Sequence, residues 1–354
     1  MELTAEQRAL RDAIRGLLVR DQPAEGDIWR RLTEIGVPGL AIPERYGGAG
    51  AGPVETHVAA EELGRDLIPS PLLGSAVLAG QALLAAGDDA ACRRLLPAIA
   101  AGSVAALAWT TAAGHWDPAE VACRATPAAS DWILHGDAHY VLDGDTADIL
   151  LVAARTAEGT GLFEVDAGHA GVSRAAVTTM DPSRRLAVVR LDGAAGRRIG
   201  GPAGRALARA TDLACVALSA EQVGAARRAL DMTVDYTKVR VQFGRPIGGF
   251  QALQHRMADL HVLVESARSL SYAAVRAAGE DAQDAGLRAA AAKVYCSEAL
   301  QRVAAETIQL HGAIGITWEH AAHRYLKRAH GTAQLFGRPA EHVARIATEI
   351  IDRV

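Results

Sequence analysis

Cysteine is scarce in this 354-residue chain. Its four cysteines, Cys92, Cys123, Cys215 and Cys296, stand far apart, and no pair has Cys-x-x-Cys spacing. This argues against a zinc site and a disulfide framework, and leaves reduced, buried thiols as the expectation. An excess of positive charge is missing too: 37 Lys and Arg against 41 Asp and Glu give a net charge of −4. Nucleic acid and anionic membrane surfaces both favour clustered cationic side chains, so neither is expected as a partner. No segment approaches the ~18 uninterrupted apolar residues that a membrane-spanning helix needs. The start, Met1-Glu2-Leu3-Thr4, carries acid early, without a basic stretch leading into an apolar one. No signal peptide is readable there, and a cytoplasmic enzyme is expected. What is present suffices for a sizeable core: half of the residues are hydrophobic and only 22% charged, which suits two or three structural domains.

Residues 1–103 read as helices joined by glycine and proline turns. Thr4 and Gln7 have capping-box spacing, in which each side chain satisfies an orphan amide at a helix start. Leu10, Ile14, Leu17 and Leu18 then recur at helical spacing and predict one buried face. Between Gly36 and Gly50 glycines and prolines interrupt the chain every few residues, which predicts a turn-rich connector. Across 104–200 the pattern changes to short apolar runs bounded by Gly, Asp and Pro. Trp132-Ile133-Leu134, Ile149 to Ala153, Gly161 to Val165 and Leu186 to Leu191 are the expected strands of a small β domain. Helical periodicity returns over 201–354, with Leu253, Met257, Leu260 and Val264 on one stripe, and the lengths suit a bundle of four or five long helices. The expected class is α+β, mainly α.

Two stretches in the C-terminal third carry the chemistry. Arg240-Val241-Gln242-Phe243-Gly244-Arg245-Pro246 follows an expected helix (Val223 to Lys238) and breaks it. A guanidinium at that point is able to make paired hydrogen bonds to phosphate oxygens. The plainer reading is a capped helix end with an exposed arginine. Gln309-Leu310-His311-Gly312-Ala313-Ile314-Gly315 places two glycines after a helix, where backbone amides approach a phosphate or ribose without a Cβ in the way. Helix C-caps also select glycine.

With Gly39-Leu40-Ala41-Ile42-Pro43-Glu44-Arg45-Tyr46-Gly47-Gly48-Ala49-Gly50, these stretches make the chain resemble the acyl-CoA dehydrogenases over nearly its whole length. The resemblance implies an N-terminal helical domain (1–103), a small β-barrel-like middle domain (104–200) and a C-terminal four-helix bundle (201–354). It implies FAD as cofactor, an acyl-CoA substrate and an electron-transfer flavoprotein or similar acceptor. It assigns cofactor contacts to Arg240, Gln242, Phe243, Gln309, His311 and Gly312. The Arg240 segment is expected to reach across a subunit interface to the pyrophosphate of a neighbour's FAD, with Phe243 near the cofactor. Thr317-Trp318-Glu319-His320 and His323-Arg324-Tyr325-Leu326 are most similar to the heteromeric subfamily used on steroid side-chain and other bulky CoA thioesters in high-GC bacteria. His320 and His323 stand three apart, but no third ligand accompanies them, and no metal is expected.

The same resemblance exposes departures. Counted without gaps, the two positions at which the family keeps its catalytic glutamate fall on Gly337 and Ala214, and neither can take a proton. Glu341, Asp212 and Glu319 become candidates only if the register is displaced by several residues. The β domain departs too, with Thr110-Thr111-Ala112-Ala113-Gly114-His115-Trp116-Asp117 and Tyr140-Val141-Leu142-Asp143 at loops that face the flavin in relatives. Clamp segments kept and chemistry segments lost suggest the partner chain of an α2β2 enzyme. The alternatives are a homo-oligomer with a relocated base, or a silent subunit that binds no flavin.

Overall fold

A computed structural model of the chain describes residues 3–20, 25–129 and 131–352. Met1 and Glu2, used in reading the N-terminus, lie outside the described residues. The chain divides into two compact units, one of Thr4–Ala59 and Pro69–Ala214, the other of Met1–Leu3, Ala60–Ile68 and Cys215–Val354.

In the first unit, helix α1 (Ala5–Arg20) opens on the expected capping box. The Thr4 amide donates to Gln7 Oε1 at 3.0 Å and the Gln7 amide to Thr4 Oγ1 at 3.2 Å. Ile14 is fully buried, while Leu10, Leu17 and Leu18 are half-buried, as the spacing predicted. Helix α2 (Glu25–Glu34) leads into the connector, which holds only two single 3-10 turns, Val37–Gly39 and Glu44–Tyr46. Helices α3 (Pro53–Arg65), α4 (Gly80–Ala86) and α5 (Asp89–Ala100) follow, and the last residues of α3 belong to the second unit.

Seven strands form one sheet: β1 (Ala105–Ala108), β2 (Cys123–Pro127), β3 (Trp132–Leu142), β4 (Ile149–Thr156), β5 (Gly159–Val165), β6 (Val172–Ala176) and β7 (Leu186–Pro202). Their order is β1-β4-β2-β3-β7-β5, with β6 on β7. All four expected strands are present, in β3, β4, β5 and β7. The strands that patterning missed are the weakly encoded ones. β1 is alanine and leucine alone, β2 carries Arg124 and ends in Pro127, and β6 is largely exposed. Leu134, Leu150, Val152, Phe163 and Val189 fill the core beneath the sheet.

Five helices close the chain: α6 (Gly204–Val239), α7 (Gln251–Gly279), α8 (Ala285–His311), α9 (Ala322–Gln334) and α10 (Pro339–Ile351). Three are long and two short. α6 begins in the first unit and enters the second at Cys215. On the predicted stripe of α7, Leu260 and Val264 are buried and Leu253 and Met257 half-buried. In the second unit, Ala225, Ala229, Leu260, Val264, Leu300, Val303 and Ala329 form one apolar cluster. Small residues let these helices approach closely: a Cβ on Gly224 would stand 1.9 Å from the carbonyl oxygen of Glu61, near the end of α3. All four cysteines are buried. Among the described residues no helix is long and apolar enough to cross a membrane.

Candidate functional site

Helix α6 keeps its ladder to the last: the Arg240 amide still donates to the Tyr236 carbonyl at 2.9 Å. The chain then reverses in a two-stranded hairpin, β8 (Val241–Gln242) against β9 (Arg245–Pro246), with Gln242 opposite Arg245. Phe243 and Gly244 make the turn at φ 53° and 76°, the twin positive φ values that tight hairpins require. The segment is therefore a projecting hairpin, more than a capped helix end. Arg240 and Gln242 are exposed. Among the described residues the Arg240 guanidinium has no ion pair or hydrogen bond, and the Gln242 amide donates only to the neighbouring Val241 carbonyl, at 2.8 Å. The Phe243 side chain is 92% exposed, and its ring meets Phe250 edge-on at 6.2 Å. The Arg245 guanidinium lies over the Phe250 ring, 4.0 Å from its centroid. An aromatic so exposed, on a left-handed backbone, marks a surface made for contact.

Tertiary structure brings the second motif to the end of α6. His311, the last residue of α8, stacks on Tyr236 at 4.4 Å and 26°. It also packs against His320, at 4.4 Å and 44°. The His311 Nδ1–H donates to the Thr307 carbonyl at 2.7 Å, which leaves Nε2 as an acceptor, and that atom is buried without a partner. Burial lowers the pKa of this imidazole and keeps it neutral. The Tyr236 hydroxyl donates to the His311 carbonyl at 3.3 Å. Gly312 ends the helix at φ 65°, ψ −144°, a conformation open essentially to glycine alone. Gln309 is exposed one turn earlier. Sequence reasoning singled out His311 but overlooked Tyr236, whose place one helical turn before Arg240 was the available signal.

The donor set suits an anionic diphosphate carried by FAD. It offers a free guanidinium and a carboxamide, with a glycine turn beside them. Because Gly312 follows the carbonyl end of α8, the helix dipole there repels an anion. The positive charge must come from the arginine, and the glycine turn contributes shape. The unpaired His311 Nε2 suits a hydroxyl or amine donor instead.

Neither of the two positions at which the base was expected carries a proton acceptor. Gly337 lies in the loop between α9 and α10 at φ 99°, and Ala214 is fully buried in α6. Of the alternatives, Glu341 caps α10: its Oε2 accepts from the Arg338 amide at 3.1 Å and its Oε1 pairs with the Arg338 guanidinium at 2.7 Å. Glu319 is exposed ahead of α9, and Asp212 is half-buried on α6. His320 Nδ1 accepts from the Ala322 amide, and His323 packs against Trp318. In the first unit, the loop after β1 begins with two unsatisfied buried atoms, Trp109 Nε1 and Thr111 Oγ1. The His139 amide donates to the Thr110 carbonyl at 2.9 Å, and Tyr140 and Asp143 beyond it, at the end of β3, both adopt positive φ. Strain and unpaired polar atoms of this kind cluster at ligand sites.

Comparison with known proteins agrees with this geometry. A family model described as the acyl-CoA dehydrogenase N-terminal domain matches residues 4–103, and one for the C-terminal domain of the same enzymes matches 205–351. The chain is 42% identical to acyl-CoA dehydrogenase IpdE2 of Mycobacterium tuberculosis, over 96% of this chain and 91% of the relative. Among solved structures it is similar to the Tcur3481-Tcur3483 steroid ACAD, with 33% identity, a TM-score of 0.85 and coverage of 98% and 96%. Its fold also matches butyryl-CoA dehydrogenase from Megasphaera elsdenii, at 23% identity and a TM-score of 0.91 over 99% of each chain.

Proposed function

Because this chain belongs to the acyl-CoA dehydrogenase family, we propose that it is the base-lacking subunit of a hetero-oligomeric, FAD-dependent enzyme that desaturates an acyl-CoA thioester at its α,β-bond. FAD is the cofactor that the family implies, and when bound it supplies the acceptor for hydride from the β-carbon. In this reading Arg240 holds the diphosphate through charge-assisted hydrogen bonds, with Gln242 as a weaker donor. Phe243 covers the cofactor of the neighbouring subunit. His311, kept neutral by burial, accepts a hydrogen bond from the nucleotide portion, and Gly312 and Gln309 shape the turn beside it. The α-proton passes to a glutamate of the sister chain, which forms an α2β2 assembly with this one. An electron-transfer flavoprotein or similar acceptor reoxidises the complex. Similarity to the steroid ACAD supports a bulky acyl group as substrate. The segments 1–103, 104–200 and 201–354 serve as its three domains.

One observation carries this reading. The chain presents an unpaired arginine and a 92% exposed phenylalanine on a projecting hairpin, while glycine and alanine stand where a base is required. The test is an absorption spectrum of the chain, alone and mixed with its partner, during anaerobic addition of acyl-CoA. The flavin should bleach only in the mixture, because loss of a positioned base costs about 10²–10⁴-fold in rate. Rapid bleaching with this chain alone would refute the proposal and favour a homo-oligomer with a relocated carboxylate among Glu341, Asp212 and Glu319. Absence of flavin from the mixture would favour a silent subunit.

A further inference from the structure

Position 337 lacks a side chain, and the space beside it is tight. An ideal Cβ built on Gly337 would lie 3.0 Å from His342 Nε2 and 3.3 Å from Glu341 Oε2. His342 sits in the first turn of α10, is only 6% exposed, and its Nε2–H donates to the Phe336 carbonyl at 2.9 Å. The Cys215 sulfur, from α6, lies 4.0 Å from the same nitrogen and 3.9 Å from the same carbonyl. Phe336 is itself 1% exposed, and it adopts φ 59° directly before Gly337 at φ 99°. A buried aromatic in the left-handed region is strained and persists only where its surroundings over-determine it. Here the hydrogen bond from His342 and the burial of the ring do so. Lys293 Nζ donates to the Thr332 and Ala333 carbonyls, each at 3.1 Å, and anchors the end of α9 from which the loop departs.

We propose that His342 crowds the base position of this chain: its imidazole lies against the space into which a side chain at 337 would project, and its hydrogen bond to the Phe336 carbonyl holds the turn in that crowded form. The inference rests on the proposed function only in naming residue 337 as that position. It follows that a side chain at 337 meets this imidazole whatever the partner supplies, and that Gly337→Glu is better accommodated together with a smaller residue at 342.

A double-mutant cycle on the full chain tests this. Thermal unfolding is compared for wild type, G337A, H342A and G337A/H342A. The backbone strain of alanine at φ 99° is common to both backgrounds and cancels, which leaves the contact with the imidazole as the coupling. The Tm loss caused by G337A should fall by at least half when His342 is already alanine. Equal losses in the two backgrounds would overturn the proposal. If H342A does not fold, NMR of the His342 ring in G337A replaces the cycle. A displaced imidazole, with a shifted Nε2–H resonance and faster exchange of that proton, is expected. A resonance unchanged from wild type overturns the idea. Flavin bleaching by acyl-CoA with the wild-type chain alone would overturn the base-free function instead, and it is read in a different measurement.

Discussion

Arg240 is an exposed guanidinium without a partner among the described residues, so its removal should leave the fold intact and be felt at the ligand. Arg240→Ala is expected to weaken FAD retention in the assembled oligomer by roughly 1–3 kcal/mol, the range for a charge-assisted hydrogen bond left unmade. Gln242→Ala should cost less, since that amide is neutral and already donates to the Val241 carbonyl. Equilibrium dialysis of the flavin checks both, and unchanged affinity in Arg240→Ala would refute the contact. Lys293 presents the opposite case, a cation buried with Ser297 Oγ and two helix-end carbonyls around it. Burial lowers its pKa from 10.5 to about 8. Between about pH 8 and 10 the unfolded chain holds a proton on this lysine that the folded chain has released, so its contribution to stability rises with pH across that window. Urea unfolding from pH 7 to 10 should therefore show wild type gaining on Lys293→Met as pH rises above 8. The buried thiols of Cys123 and Cys296, pushed up to about 12, act in the opposite direction in both proteins. The difference between the two curves is the quantity to read, and parallel curves would contradict the assignment.

Among the elements, the end of α6 from which the hairpin β8–β9 departs meets the end of α8, where Tyr236 stacks on His311. Neither element has a core of its own. The hairpin has only two paired positions, far too few for independent stability, and it borrows its orientation from the long helix behind it. That helix is in turn placed by backbone contact with α3. At Gly224 there is no flexible side chain to yield, since the atom 1.9 Å from a built Cβ is the Glu61 carbonyl oxygen. Gly224→Ala should destabilise the fold by about 1–3 kcal/mol or more through overpacking. Denaturant unfolding would measure it, and stability equal to wild type would show that the two helices do not approach so closely.

For the whole molecule, the expectation is assembly. Val241 and Phe243 on the hairpin, with Ile316 and Trp318 on the turn after α8, are large apolar side chains left in solvent within one unit. Exposed apolar surface of this kind marks a contact face, and an arm that serves a neighbour's cofactor requires a stable, closed oligomer. Light scattering coupled to the flavin assay should find activity only in an oligomeric peak. An active monomer would remove the argument for contacts made in trans.

The sequence by itself determined what local pattern and backbone chemistry encode. The capping box at Thr4 and Gln7, the interrupted connector, the four strands with strong apolar runs and the breaks at Gly244 and Gly312 were all legible, because periodicity, caps and positive φ are properties of neighbouring residues. Family motifs added the order of the elements and the cofactor. Only the tertiary structure decided which distant residues meet. Beyond its place one turn before Arg240, nothing local says what Tyr236 meets, and nothing local distinguishes Lys293 from a solvated lysine. His342 likewise reads as an ordinary residue in the first turn of a helix. Tyr236 and Lys293 acquire their roles from packing against segments tens of residues away, and His342 from the turn five and six residues before it and from Cys215 on α6. Three strands stayed hidden for the same reason: alanine-rich, proline-ended or exposed segments have little intrinsic β preference, and their neighbours in the sheet supply the rest.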